Sequence, residues 1–175
     1  MERLGGFGNG KLMASIIPVL FGLLGVVLTN LPFSVLSGIV PAPMYALMPI
    51  YYWCLVRPDL MSPVWAFLIG IAHDMISGEP PGIWAAAFVA TYAVIDKQRD
   101  AFAGLSGFGA ILGFATAALV TCASHYVIYC FYRWQFLPVT NEIKEFAVTS
   151  ILYIPVVVVL ASVHRRFVGP LRSEF

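Results

Sequence analysis

Charged residues divide this chain into long uncharged blocks. Between Lys11 and Arg57 lie 45 residues without a charge, between Asp100 and Arg133 lie 32, and between Glu145 and Arg165 lie 19. A helix that crosses a bilayer needs about 20 apolar residues. The first block therefore predicts two spans, and the other two predict one each. Two shorter uncharged stretches, Leu60–His73 and Pro80–Ile95, predict a further pair. The first of these reaches Ser77 only by carrying Asp74 with it.

The pattern places helix 1 over Leu12–Thr29, helix 2 over Met44–Val56, helix 3 over Pro63–Ser77, helix 4 over Gly82–Ile95 and helix 5 over Leu105–Arg133. Helix 6 starts at Glu142, with Asn141 as its cap, and runs to His164. Residues Met1–Gly10 read as a flexible Gly-rich segment. Helix 1 has an apolar core too long for a signal peptide and no small-residue cleavage site behind it, so it reads as an uncleaved span. Pro49 predicts a kink in helix 2. Tyr51, Tyr52 and Trp53, at the end of that helix, read as rings at the lipid–water interface. Arg57-Pro58-Asp59 is a tight polar turn. Gly78 stops helix 3, and Pro80 and Pro81 suit the first turn of helix 4. The expected organisation is an N-terminal segment over residues 1–11, a six-helix membrane domain over 12–164 and a basic tail over 165–175.

Composition agrees and narrows the classes. Of the 175 residues, 60% are hydrophobic and 11% charged, and mean hydropathy is +0.86. A soluble domain is about 45–50% apolar and about 25% charged. So short a chain cannot bury that much apolar surface in water. Disorder is excluded by the same numbers, and a net charge of +1 is no footprint for nucleic acid. Under six spans, Arg3, Lys11, Arg57, Lys97, Arg99, Arg165, Arg166 and Arg172 fall on one side, and Arg133 and Lys144 on the other. The positive-inside rule then puts both termini in the cytoplasm.

Candidate chemistry is sparse. Cys54, Cys122 and Cys130 form no disulfide framework. Cys122, His125 and Cys130 spread too widely around a helix for a zinc site, so no metal or cofactor is expected. His125 and His164 are expected to have no nearby acid, and no nucleophile constellation stands out. Asp74 is the costly residue, an acid inside an apolar helix. Its carboxylate has a structural use if it folds over the turn onto the free N–H groups opening helix 4, with Gly78 and Gly82 permitting the approach. Contact with a partner and ion relay are the other uses, and no second buried acid is evident to continue a relay. His73 points away from Asp74 and forms no pair with it. Gly109, Gly113, Ala117 and Thr121, four apart on helix 5, form a small-residue ridge that packs either inside the chain or on a partner's helix. Ala86, Ala90 and Ala93 make a similar face on helix 4.

One ordered set of residues is distinctive. Pro43, Tyr52-Trp53, Arg57-Pro58, then Gly70-x3-Asp74-x2-Ser77-Gly78-x3-Gly82 resembles the MreD family of bacterial rod shape-determining proteins. Residues 43–95 carry the resemblance, with Trp53, Pro58, Gly70, Asp74, Gly78 and Gly82 as its motif positions. Glu79-Pro80-Pro81 and His73 depart from the usual pattern, which leaves the geometry of the turn open. The resemblance implies a non-enzymatic inner-membrane scaffold. It implies association with MreC, in a complex with MreB, RodA and a class B penicillin-binding protein, and a fold similar to the substrate-binding subunits of energy-coupling-factor transporters. Two rivals from other classes are a small-molecule-binding subunit of a vitamin transporter and an enzyme acting on lipid or cell-wall precursors. The first needs a polar, aromatic-lined pocket, and the second a cluster of buried polar groups.

Overall fold

A computed structural model describes residues 6–31, 41–99 and 108–168. Among them are six α-helices and no strand: α1 Gly6–Asn30, α2 Leu47–Val56, α3 Pro63–Ser77, α4 Ile83–Lys97, α5 Phe108–Arg133 and α6 Thr140–Val163. A π-helical turn, His164–Val168, follows α6. The start of α1 at Gly6 corrects the expected flexible run to residue 10. The linker over 32–40, the stretch 100–107 where helix 5 was expected to start, and the tail beyond 168 lie outside the described residues.

The core forms around α2, which touches α1, α4, α5 and α6. Its residues Leu47 to Cys54 are all buried. A helix that is apolar on every side has no face to give to water, and at ten residues α2 is short enough for its neighbours to cover completely. This corrects the reading of Tyr51, Tyr52 and Trp53 as interfacial anchors. Tyr51 sits edge-on to Phe114 at 5.4 Å and to Tyr153 at 5.8 Å. Trp53 packs on His164 of the π turn at 5.4 Å. Pro49 is the third residue of α2 and costs no helical hydrogen bond, because the first four N–H groups of any helix lack an intrahelical acceptor.

The remaining helices close around this centre. Gly25 meets the backbone at Ala46, where a Cβ would lie 2.7 Å from the Ala46 Cα. α3 packs on α4, α4 on α5 and α5 on α6. The helix 5 ridge is used here. Gly113, Ala117 and Thr121 are buried, and the Thr121 hydroxyl is 2.8 Å from that of Thr91 on α4. Gly109, at the start of the ridge, is half-buried. The ridge therefore serves packing inside the chain, and its availability to a partner's helix is corrected accordingly. By contrast, Ala86 and Ala93 of α4 are exposed and Ala90 is half-buried.

Segments Gly109–Arg133 and Thr140–Arg166 are long and apolar enough to cross a membrane. The 15-residue α3 and α4 reach about 22 Å each at 1.5 Å per residue. α6 begins two residues before the expected Glu142. Its N-cap is Val139, without a side-chain hydrogen bond, so Asn141 lies inside the first turn and is not the cap.

Candidate functional site

The α3–α4 hairpin is built from its glycines and one acid. At Gly70 the two helices touch: a Cβ there would sit 2.6 Å from the Ala85 nitrogen. Gly78 ends α3 in the left-handed conformation at φ 73°, and its N–H donates to the Asp74 carbonyl at 3.1 Å. Gly82 opens α4, also left-handed, at φ 107°. A glycine at the N-cap has no side chain to accept the free N–H groups of the first turn. Asp74 supplies the acceptor from the preceding helix. Its Oδ2 accepts from the Gly82 N–H at 2.7 Å and, more distantly, from Ala85 at 3.5 Å; its Oδ1 accepts from Trp84 at 2.9 Å. The fully buried carboxylate thus caps the next helix and gains from its positive dipole end.

Beside this hairpin lies a polar cluster that sequence reasoning missed. His125 of α5 is buried, with its Nδ1 3.1 Å from Glu142 Oε1 on α6 and its Nε2 3.2 Å from Glu79 Oε2 on the α3–α4 turn. The expectation that His125 has no acid nearby is corrected: both partners come from segments distant in the chain. The imidazole is stacked on Trp84 at 4.2 Å and 26° and faces Tyr129 at 5.7 Å and 18°. Burial raises the Glu79 carboxyl, but its hydrogen bond and charge attraction to His125 outweigh this and hold it below the ordinary carboxylate range. His73 packs on Trp84 at 4.6 Å. Its Nδ1 is buried without a hydrogen-bond partner, as is Oε2 of Glu142.

These groups border a cavity of about 360 Å³, also lined by Asn30, Tyr126, Asn141 and Glu145. The end of α1, the α3–α4 turn, the end of α5 and the start of α6 thus meet at one end of the bundle. Half-buried Glu79, Glu142 and Glu145 border the cavity, so acids other than the buried Asp74 also reach this end of the bundle. No group of three His, Cys, Asp or Glu with the arrangement of a metal site occurs among the described residues.

A family model described as rod shape-determining protein MreD matches residues 9–163. The chain belongs to the MreD family. MreD is a membrane-associated, shape-determining structural family and not a known enzyme family. The match runs from the first turns of α1 to the end of α6, so the whole helical body is MreD-like. Comparison with curated proteins and with solved structures gives no match. Two further residues of the motif expected from the resemblance lie away from the hairpin. Trp53 is buried in α2. Pro58 occupies the second position of the turn Arg57–Leu60, closed by the Leu60 N–H on the Arg57 carbonyl at 3.0 Å and by a forked Arg57–Asp59 pair at 2.8 and 2.9 Å. The six motif residues therefore form no single pocket; Gly70, Asp74, Gly78 and Gly82 build one hairpin, while Trp53 and Pro58 shape the end of α2.

Proposed function

We propose that this chain is an inner-membrane scaffold of the cell-wall elongation complex, holding MreC and helping to position peptidoglycan synthesis in the company of MreB, RodA and a class B penicillin-binding protein. The observation that carries this reading is the family match over nearly the whole helical body. All six helices cross the bilayer in this reading, with both termini cytoplasmic and the short α3 and α4 shielded by longer neighbours. The helix order supports it. Arg57, Lys97, Arg99, Arg165 and Arg166 end or follow helices finishing on one side, and Arg133 and Lys144 flank the loop on the other.

With the α5 ridge covered, the exposed small-residue face of α4 takes its place. Ala86, Ala90 and Ala93 form a shallow strip on which the membrane helix of MreC packs by van der Waals contact. Replacing Ala90 by Leu fills that strip while leaving the buried side of α4 intact. Co-purification of MreC from membranes is expected to fall while the variant still accumulates, and undiminished recovery of MreC removes α4 from the interface.

The cavity favours a second reading, a small-molecule-binding subunit of a vitamin transporter. Its volume of about 360 Å³ and its mixed polar and aromatic lining lie in the range of ligand sites. Radiolabelled vitamin uptake, or a ligand retained through purification and seen by mass spectrometry, decides for it.

A further inference from the structure

Both ring nitrogens of His125 are within hydrogen-bond reach of a carboxylate oxygen, Nδ1 of Glu142 and Nε2 of Glu79. A neutral imidazole carries one N–H and one lone pair, and a carboxylate only accepts. A neutral ring would serve one of the two acids and turn its lone pair on the other. The geometry closes without repulsion only when one further proton is shared among the three groups. An imidazolium does this most simply, donating to both carboxylates.

We propose that the chain binds a structural proton at His125, and that this proton clasps the α3–α4 turn and the start of α6 to α5. The surroundings fit a cation. The ring stacks on Trp84 at 4.2 Å and lies near-parallel to Tyr129 at 5.7 Å, and aromatic faces favour positive charge over their centres. Glu79, Glu142 and Glu145 line the cavity with only His73 and His125 as basic groups, so acids outnumber bases around the ring. The ionisable groups facing the clasp are His73 and Asp74 from α3, Glu79 from the turn, Cys122, Tyr126, Tyr129 and Arg133 from α5, and Glu142 and Glu145 from α6. Asp74 is engaged by backbone N–H groups of α4, and Arg133 is drawn to Tyr129, 3.1 Å from its hydroxyl. His73 has no hydrogen-bond partner at its buried Nδ1, whereas His125 meets a carboxylate at each ring nitrogen, so His125 is the cation placed between the acids. In the proposed topology this end of the bundle faces outside the cytoplasm. Loss of the proton on a rise in external pH then releases one arm of the clasp and frees the turn that carries Glu79.

The test uses the full chain, labelled with ¹⁵N-histidine, in lipid nanodiscs. The three histidine signals are assigned from His73→Gln and His164→Gln, which leave the clasp in place. At pH 7.5 His125 is expected to show both ring nitrogens protonated. In Glu79→Gln the side-chain amide can meet a neutral ring, and the pH midpoint for proton loss is expected to fall by at least one unit, a tenfold drop in proton affinity. Glu142→Gln serves the same purpose if the first variant does not fold. Amide exchange over residues 78–85, corrected for its intrinsic pH dependence, is expected to rise at least tenfold across the wild-type midpoint. A wild-type His125 with one bare ring nitrogen at pH 7.5, an unmoved midpoint in the variants, or unchanged protection across the titration overturns the proposal.

Discussion

Replacing Asp74 offers the sharpest probe of the hairpin, because both of its carboxylate oxygens are in use. Oδ2 serves Gly82 and Ala85, and Oδ1 serves Trp84. Asp74→Asn keeps one accepting oxygen and turns an NH₂ group toward N–H donors. It loses at least one charge-assisted bond and weakens the rest, each worth roughly 1.5–3 kcal/mol. A loss of about 2–3 kcal/mol follows. Asp74→Leu leaves the buried N–H groups of Trp84 and Ala85, and the half-buried one of Gly82, without this acceptor. At about 1–3 kcal/mol for each orphaned donor, and allowing the first turn of α4 to fray, the loss is about 4–6 kcal/mol. Domains are stable by about 5–15 kcal/mol, so the Leu variant should accumulate poorly while the Asn variant folds with reduced stability. Denaturant unfolding of purified protein in mixed micelles, followed by tryptophan fluorescence, measures both. An Asp74→Leu variant within about 1 kcal/mol of the wild type refutes the capping argument. If that variant folds normally but fails to support rod shape, the carboxylate acts on a partner instead.

The other expectations follow from single contacts. Gly70→Ala sets a Cβ 2.6 Å from the Ala85 nitrogen, so α3 and α4 must part, and unfolding should be easier by about 1–3 kcal/mol; an unchanged midpoint contradicts the close approach. Thr121→Val removes the hydroxyl that meets Thr91 at 2.8 Å and should cost about 1 kcal/mol, with Thr91→Val adding little on top in a double-mutant cycle. For Glu79 the folded carboxyl lies below its ordinary value of 4.5. Its stabilisation therefore disappears as pH falls from about 4.5 through the lower folded value, and at the alkaline end it lasts only as long as the proton on His125. Melting curves of wild type and Glu79→Gln should differ at pH 7 and converge at strongly acidic pH; a gap that persists there shows that Glu79 acts through packing.

Much of the hairpin was legible in the sequence for local reasons. Glycines four residues apart around one acid define a helix stop, a short turn and a helix start, and every contact involved spans at most 15 residues. Helix 3 was read with the same ends that the structure gives it. The His125 cluster was not legible in the same way. Glu79 lies 46 residues from His125 and Glu142 lies 17 away, and helical periodicity does not say which loops fold together. A signal did exist: alternating helix directions put the turn near Glu79 and the loop before Glu142 at one end, two turns from His125. Tyr51 and Trp53 were misplaced because amphipathic rings suit both a lipid interface and a protein core. What decides between them is the shortness of α2, ten residues that its neighbours can cover completely. Similarly, the small-residue pattern of α5 identified a packing face correctly as a face but not its occupant, since spacing on one helix is silent about which helix fills it.

The central claim is that this chain maintains rod shape by scaffolding wall elongation. Its most direct measurement is depletion of the chain in its native cells, with fluorescent tracing of new wall synthesis under the microscope. Rounded cells with dispersed synthesis, restored to rods by the wild-type chain, are the predicted result. Cells that stay rod-shaped and keep their lateral pattern of synthesis through depletion contradict the account.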